Sequence, residues 1–203
     1  MSPLTVFVRT LMKSSAICLG IAIAVIHPSV DGGPPRRATA QQSPAEAAID
    51  GLVIALKDSD PGVRQSAAAA LGQLHSTRAV PGLMEATKDE KPEVRLHALT
   101  ALGEIGDARA VPAVTAALKD AEARVRARAA LVLGEIGDRS AVESLIALVS
   151  DSDVEVKRRA LRALAEIGDE RAVPAATAAL KDADAGVRRA AVLALAELSG
   201  GER

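Results

Sequence analysis

The sequence is almost without aromatic side chains. It has no tryptophan and no tyrosine, and its single phenylalanine, Phe7, lies outside the regular part of the chain. A core without large rings is filled by small aliphatic groups. Its helices must therefore approach closely, toward the short end of the ~8–10 Å range. A regular stack of helices can do this more easily than one irregular core. Cysteine is nearly absent as well. Cys18 is the one thiol, which excludes a disulfide framework. Ile17 precedes it where a small residue would be needed for lipidation. Neither sign of charge is in excess: 25 Lys and Arg face 26 Asp and Glu, a formal net charge of −1, which argues against general nucleic-acid binding. No stretch alternates β-branched and polar residues with period two, so a sheet-based α/β fold is excluded.

What is present is a repeat. Val63, Val94, Val125, Val156 and Val187 stand 31 residues apart, without an insertion. The same step links Ala67 to Ala191 and Leu71 to Leu195 through every intermediate copy. A strict period of this size marks stacked units, none of which can bury its apolar face alone. Residues 46–200 hold five units: 46–76, 77–107, 108–138, 139–169 and 170–200. Each reads as two short helices, with the first over 109–118 and the second over 124–136 in the third unit. Pro81, Pro112 and Pro174 fall in the first turn of the first helix, where proline is tolerated. Gly106, Gly137 and Gly168 follow the second helix, where a left-handed residue is wanted. Ser43 to Glu46 reads as a capping box, so residues 41–45 form a short linker and helix cap, with 201–203 a tail. These caps, and the departures at His75-Ser76 and at Ser199-Gly200, are the atypical ends of a finite stack, and a monomer is expected.

Residues 1–40 differ. Arg9 and Lys13 precede an uncharged apolar run from Ser14 to Ile26, and Ala38-Thr39-Ala40 offers a cleavage site before Gln41. Thirteen helical residues span about 20 Å against a hydrocarbon core of about 30 Å, which favours a cleaved signal and an exported protein. The alternative is an uncleaved membrane anchor over residues 4–26, supported by the long stretch from His27 to Ala40 and by Arg36-Arg37. Removing Arg9, Lys13, Arg36, Arg37 and Asp31 with the segment takes the net charge from −1 to −4 and leaves no cysteine.

Mapped at about 100° per residue, Val63, Ala67, Ala70, Leu71 and Leu74 and their counterparts fall on one face, the expected buried one. Beside it stands a cation in every unit: Arg64, Arg95, Arg126, Lys157 and Arg188. A repeated cation next to a core needs a partner. Asp58, Asp89, Asp120, Asp151 and Asp182, six residues earlier, can supply it. An Asp–Arg/Lys ladder running down the stack is expected, the alternative being cations that snorkel to water.

The pattern Asp-x₄-Val-Arg/Lys, then Leu-Gly-Glu-Ile-Gly-Asp-x-Arg-Ala-Val-Pro as at Leu102 to Pro112, resembles HEAT repeats. This compact form is similar to the HEAT-like repeats of phycobilisome lyase subunits. The resemblance covers residues 46–200. It implies an all-α solenoid of five 31-residue two-helix repeats, with the second helices on the concave side and the Asp and cation rows in inter-repeat contacts. No lyase activity is carried over by it.

Core positions repeat while one face varies, so that face is not dictated by the fold. Its middle holds Leu96, His97, Thr100, Arg124, Arg128, Leu131, Arg158, Arg159 and Arg162, rimmed by glutamates. The functional reading is a groove for an acidic or amphipathic segment of another protein. The alternative is a solvated face on which Glu155 with Arg159 and Arg162 with Glu166 neutralise one another. Catalytic groups and cofactor sites are not expected. The histidines are followed by Pro28, Ser76 and Ala98, not by the glutamate of the iron-binding HEAT-repeat hydroxylases, and no phosphate loop or metal-ligand cluster appears. A non-enzymatic scaffold is the expectation, with an accessory subunit that assists cofactor attachment on another protein as the rival.

Overall fold

The structure, a computed structural model, describes residues 43–200. The expected signal or anchor over residues 1–40, the first two linker residues and the tail 201–203 lie outside the described residues. Ten α-helices and four short 3₁₀ turns follow one another, with no strand among the described residues. The first helices of the units are α1 (Pro44–Ala55), α3 (Val80–Ala86), α5 (Val111–Ala117), α7 (Val142–Leu148) and α9 (Val173–Ala179). The second helices are α2 (Pro61–Gln73), α4 (Pro92–Ile105), α6 (Ala123–Ile136), α8 (Val154–Ile167) and α10 (Ala185–Gly200).

Local chemistry sets these boundaries. Ser43 and Glu46 form the reciprocal capping box at α1. Asp60 and Asp153 cap α2 and α8 by accepting from Val63 N–H at 3.1 Å and from Glu155 N–H at 2.9 Å. Gly106, Gly137 and Gly168 end α4, α6 and α8 with φ of 68°, 74° and 68°. Their N–H groups donate to the carbonyls of Leu102, Leu133 and Leu164. At the first junction His75 takes the left-handed place at φ 49°. The first helix of each later unit is shorter than the sequence suggests. In the third unit Ala108–Ala110 winds as a 3₁₀ turn, and the Asp107 carboxylate caps it by accepting from the Arg109 N–H.

Each second helix packs on its own first helix and on the second helices before and after it. The buried arc is therefore wider than one stripe. Val94, Ala98, Ala101 and Leu102 are fully covered, as expected. So are Ala68, Leu99, Ala130 and Leu161, which face the following unit and lie outside the stripe read from the sequence. Val63 and Leu74, assigned there to the core, are exposed because no unit stands before them among the described residues. The second helices come closest at Gly72, Gly103 and Gly134. A Cβ at Gly72 would lie 2.8 Å from the Ala101 Cα, and one at Gly134 2.9 Å from the Ala163 Cα. This is the close approach that a core without rings requires. None of the described helices is long and apolar enough to cross a membrane.

Candidate functional site

The cation row is built first, since it fixes how units meet. The Arg64 Nε donates to Asp89 Oδ2 at 2.7 Å and its Nη2 to Oδ1 at 2.9 Å. Arg95 grips Asp120 and Arg126 grips Asp151 in the same two-pronged way. Lys157 Nζ meets Asp182 at 2.7 Å. The carboxylate thus comes from the next unit, 25 residues on, and not from the aspartate six residues earlier. That earlier aspartate gives its carbonyl instead: Arg95 Nη1 donates to Asp89 O at 2.8 Å. Each aspartate also accepts the N–H two residues ahead, as Asp120 does from Glu122 at 2.9 Å. One side chain therefore shapes a turn and locks two units. The side chains of Arg95 and Asp120 retain 14% and 11% of their exposure, so the pairs are largely shielded from water. Burial is the largest single influence and works to raise the Asp120 carboxyl, but the Arg95 hydrogen bonds, the Glu122 N–H and the charges of Arg95 and Arg126 together hold the group below the ordinary carboxylate range. At the ends of the row, Asp58 meets no cation and Arg188 no carboxylate of a further unit among the described residues.

A second inter-unit contact has no counterpart in the sequence reading. Asp107 and Asp169 hold the guanidinium groups of Arg109 and Arg171. Those groups reach back to the Thr77 and Arg139 carbonyls of the unit before. Hydrogen bonds from Arg171 bring the Asp169 carboxyl down to about 2.

The variable face forms two adjoining grooves. One, of 660 Å³, runs between α8 and α10 and is walled by Arg158, Arg159, Arg162, Glu166, Leu193 and Glu197. The other, of 290 Å³, crosses α4, α6 and α8 over Leu96, Arg124, Ala127, Arg128 and Leu131. Glu155 and Arg159 border both, so the two are continuous. Of the nine residues expected on this face, seven line the grooves. His97 and Thr100 do not. The His97 ring lies 2.8 Å from the Glu93 carbonyl, and the Thr100 hydroxyl donates to Leu96 O at 2.8 Å. Leu193, Glu155, Glu166 and Glu197 belong to the walls as well. They stand on the same face as read from the sequence, Leu193 in its middle and the glutamates along its rim.

Charge on this face is partly satisfied from within. Glu155 binds both Arg158, at 3.0 Å, and Arg159, at 2.6 Å. Arg162 binds Glu166 at 2.8 Å. Arg124 stands 3.8 Å from Glu93. The Arg128 side chain makes no hydrogen bond or ion pair with any described residue, and it lies half-buried beside Leu131. No group of three or more His, Cys, Asp or Glu able to hold a metal occurs among the described residues. The arrangement offers one unclaimed guanidinium flanked by apolar side chains, with exchangeable cations on either side.

Repeated helix pairs, a ladder that joins them and an open groove along one face define an α-solenoid scaffold. The model of HEAT repeats matches residues 49–131 and 111–196, more than half of the chain, and the protein belongs to that family. No curated protein matches it. Among solved structures it is similar to the complex of CpcE and CpcF of phycocyanin lyase from Nostoc sp., at 28% identity and a TM-score of 0.67 over 85% of this chain and 71% of that one. It is also similar in fold to a designed armadillo repeat protein in complex with the peptide (KR)4, at 21% identity and a TM-score of 0.60 over 76% of this chain and 83% of that one. An engineered protein matches at 24% identity and a TM-score of 0.59, over 75% and 79%.

Proposed function

We propose that this protein is a non-enzymatic interaction scaffold that holds an acidic, amphipathic segment of another protein along its second-helix face. The observation that carries this reading is the joined pair of grooves, in which the unclaimed Arg128 lies among Leu96, Leu131 and Ala127. A carboxylate on the incoming segment pairs with Arg128, and its neighbouring apolar side chains cover the leucines. Further carboxylates compete with Glu155 and Glu166 for Arg159 and Arg162. Replacing Arg128, Arg159 and Arg162 together with Ser is expected to abolish capture of the partner while leaving the helical circular dichroism signal intact. Capture that survives the triple change places binding on another surface.

A second reading is an accessory subunit that assists cofactor attachment on another protein. The likeness to the phycocyanin lyase complex favours it. A chromophore or metal that co-purifies with the captured partner supports this reading, and its absence from a saturated complex supports the plain scaffold. We propose also that the protein is exported, on the residues of the apolar run and the Ala38-Thr39-Ala40 triplet. Mass spectrometry from the native host is expected to find an N-terminus near Gln41. An intact terminus in the membrane fraction supports the anchor instead.

A further inference from the structure

Every inner junction of the stack is closed by the same contacts. A cation of one unit holds the aspartate of the next, and an apolar side chain is covered by the following second helix. The last described unit keeps its half of that junction, and no described residue is set against it. The Arg188 guanidinium reaches only the Asp182 and Ala183 carbonyls, at 2.7 and 2.8 Å. Val192 is 57% exposed, whereas each of its counterparts in the four earlier units is 0% exposed. Ala196 keeps the small side chain of the close-approach position. The first described unit keeps the other half. The Asp58 carboxylate accepts the Asp60 N–H and meets no cation among the described residues. Val63 is 40% exposed, against 0% for its four counterparts. A Cβ at Gly51 would meet no described neighbour within 4 Å, whereas one at its counterpart Gly82 would lie 3.1 Å from Leu56 and 3.3 Å from Val53 of the preceding unit.

A finished repeat stack ordinarily closes with a polar outer face. Among the described residues the two end faces instead expose the apolar Val63 and Val192, and they carry opposite charges in Asp58 and Arg188. The two faces are the two halves of a junction that this chain already forms four times. We propose that a second copy of this chain docks head to tail, the Asp58 carboxylate of one copy taking the Arg188 guanidinium of the other. Val63 then lies against the Val192 and Ala196 side, in the register of an inner junction. Such a contact is heterologous, so it extends to chains of copies unless their rotation closes a ring. This departs from the monomer that the sequence suggested.

Sedimentation of the full-length protein tests it. The wild type is expected to pass from one chain mass to twice that mass and above as concentration rises. Asp58→Arg and Arg188→Asp are each expected to weaken the association by about a hundredfold or more, because each sets like charges face to face. An equimolar mixture of the two variants is expected to associate again, since each then offers the charge that the other's end requires. Circular dichroism of each variant shows whether its helices are retained. Three results overturn the proposal: a wild type that stays at one chain mass up to its solubility limit, an association that ignores both reversals, or a mixture that stays at one chain mass. The second of these would mean that the apolar run 14–26 or another surface drives assembly.

Discussion

The pairing of Arg95 with Asp120 shows how one side chain does several jobs. The carboxylate accepts two guanidinium hydrogen bonds and one backbone N–H, and the guanidinium also donates to two carbonyls. Asp120→Ala strands a shielded cation, and a loss of about 3 kcal/mol is expected in urea melts. Asp107→Ala removes a turn cap and a contact to the more exposed Arg109, so a smaller loss is expected in the same melts. Lys157 is the weak rung, because an ammonium cannot make the forked contact of its neighbours. Lys157→Arg is expected to raise stability by up to about 1 kcal/mol, since a guanidinium there also reaches the Asp151 carbonyl. Acid acts on the same groups. Asp89, Asp120, Asp151, Asp169 and Asp182 all lie below their ordinary values in the folded protein. A depressed carboxylate contributes stability that is complete above its unfolded value and lost as pH falls through the folded one. The urea midpoint is therefore expected to stay level above about pH 5 and to fall between about pH 4 and pH 2.

At the scale of the helix, the small residues decide spacing. Gly134 carries no side chain because α8 passes too near for one. Gly134→Ala gains helix propensity of about 1 kcal/mol, yet a net loss of about 1–2 kcal/mol is expected, because backbone must move to admit the methyl. A thermal melt checks the sign. The helices themselves were legible in the sequence, since period, prolines and glycines all mark the same borders. The split of the four later first helices into a 3₁₀ turn and an α-helix was not, because residue spacing does not distinguish the tighter hydrogen-bond pattern at a helix entry from the α pattern. The burial of Leu99 and Leu161 was missed for a different reason. A helical wheel shows one helix against one core, whereas these side chains are covered by the neighbour in the stack.

For the whole molecule, the site was legible as a face and not as a shape. Variation at fixed positions pointed to Leu96, Arg128 and Arg159, which the structure gathers into the grooves. It also pointed to His97 and Thr100, whose side chains turn to their own helix backbone instead. Spacing alone carries no information about such local bonds. Stability should also be uneven along the stack. Inner units are covered on both sides and end units on one, so amide exchange is expected to be slowest in α4, α6 and α8 and fastest in α1 and α10.

Because every rung of the ladder crosses a unit border, the array has no preferred length. Excising residues 108–138 brings Asp151 to Arg95 in place of Asp120, at the same separation of 25 residues. Each remaining inner rung of the ladder stays paired, although Asp107 loses Arg109 and Glu93 loses Arg124, and no close approach is blocked, since Gly103 then faces the small Ala163 in place of Val132. Loss or gain of one residue more or less would break the register at once. Recombination between the copies within such a gene keeps the ladder in register, and the second-helix face changes length one block at a time.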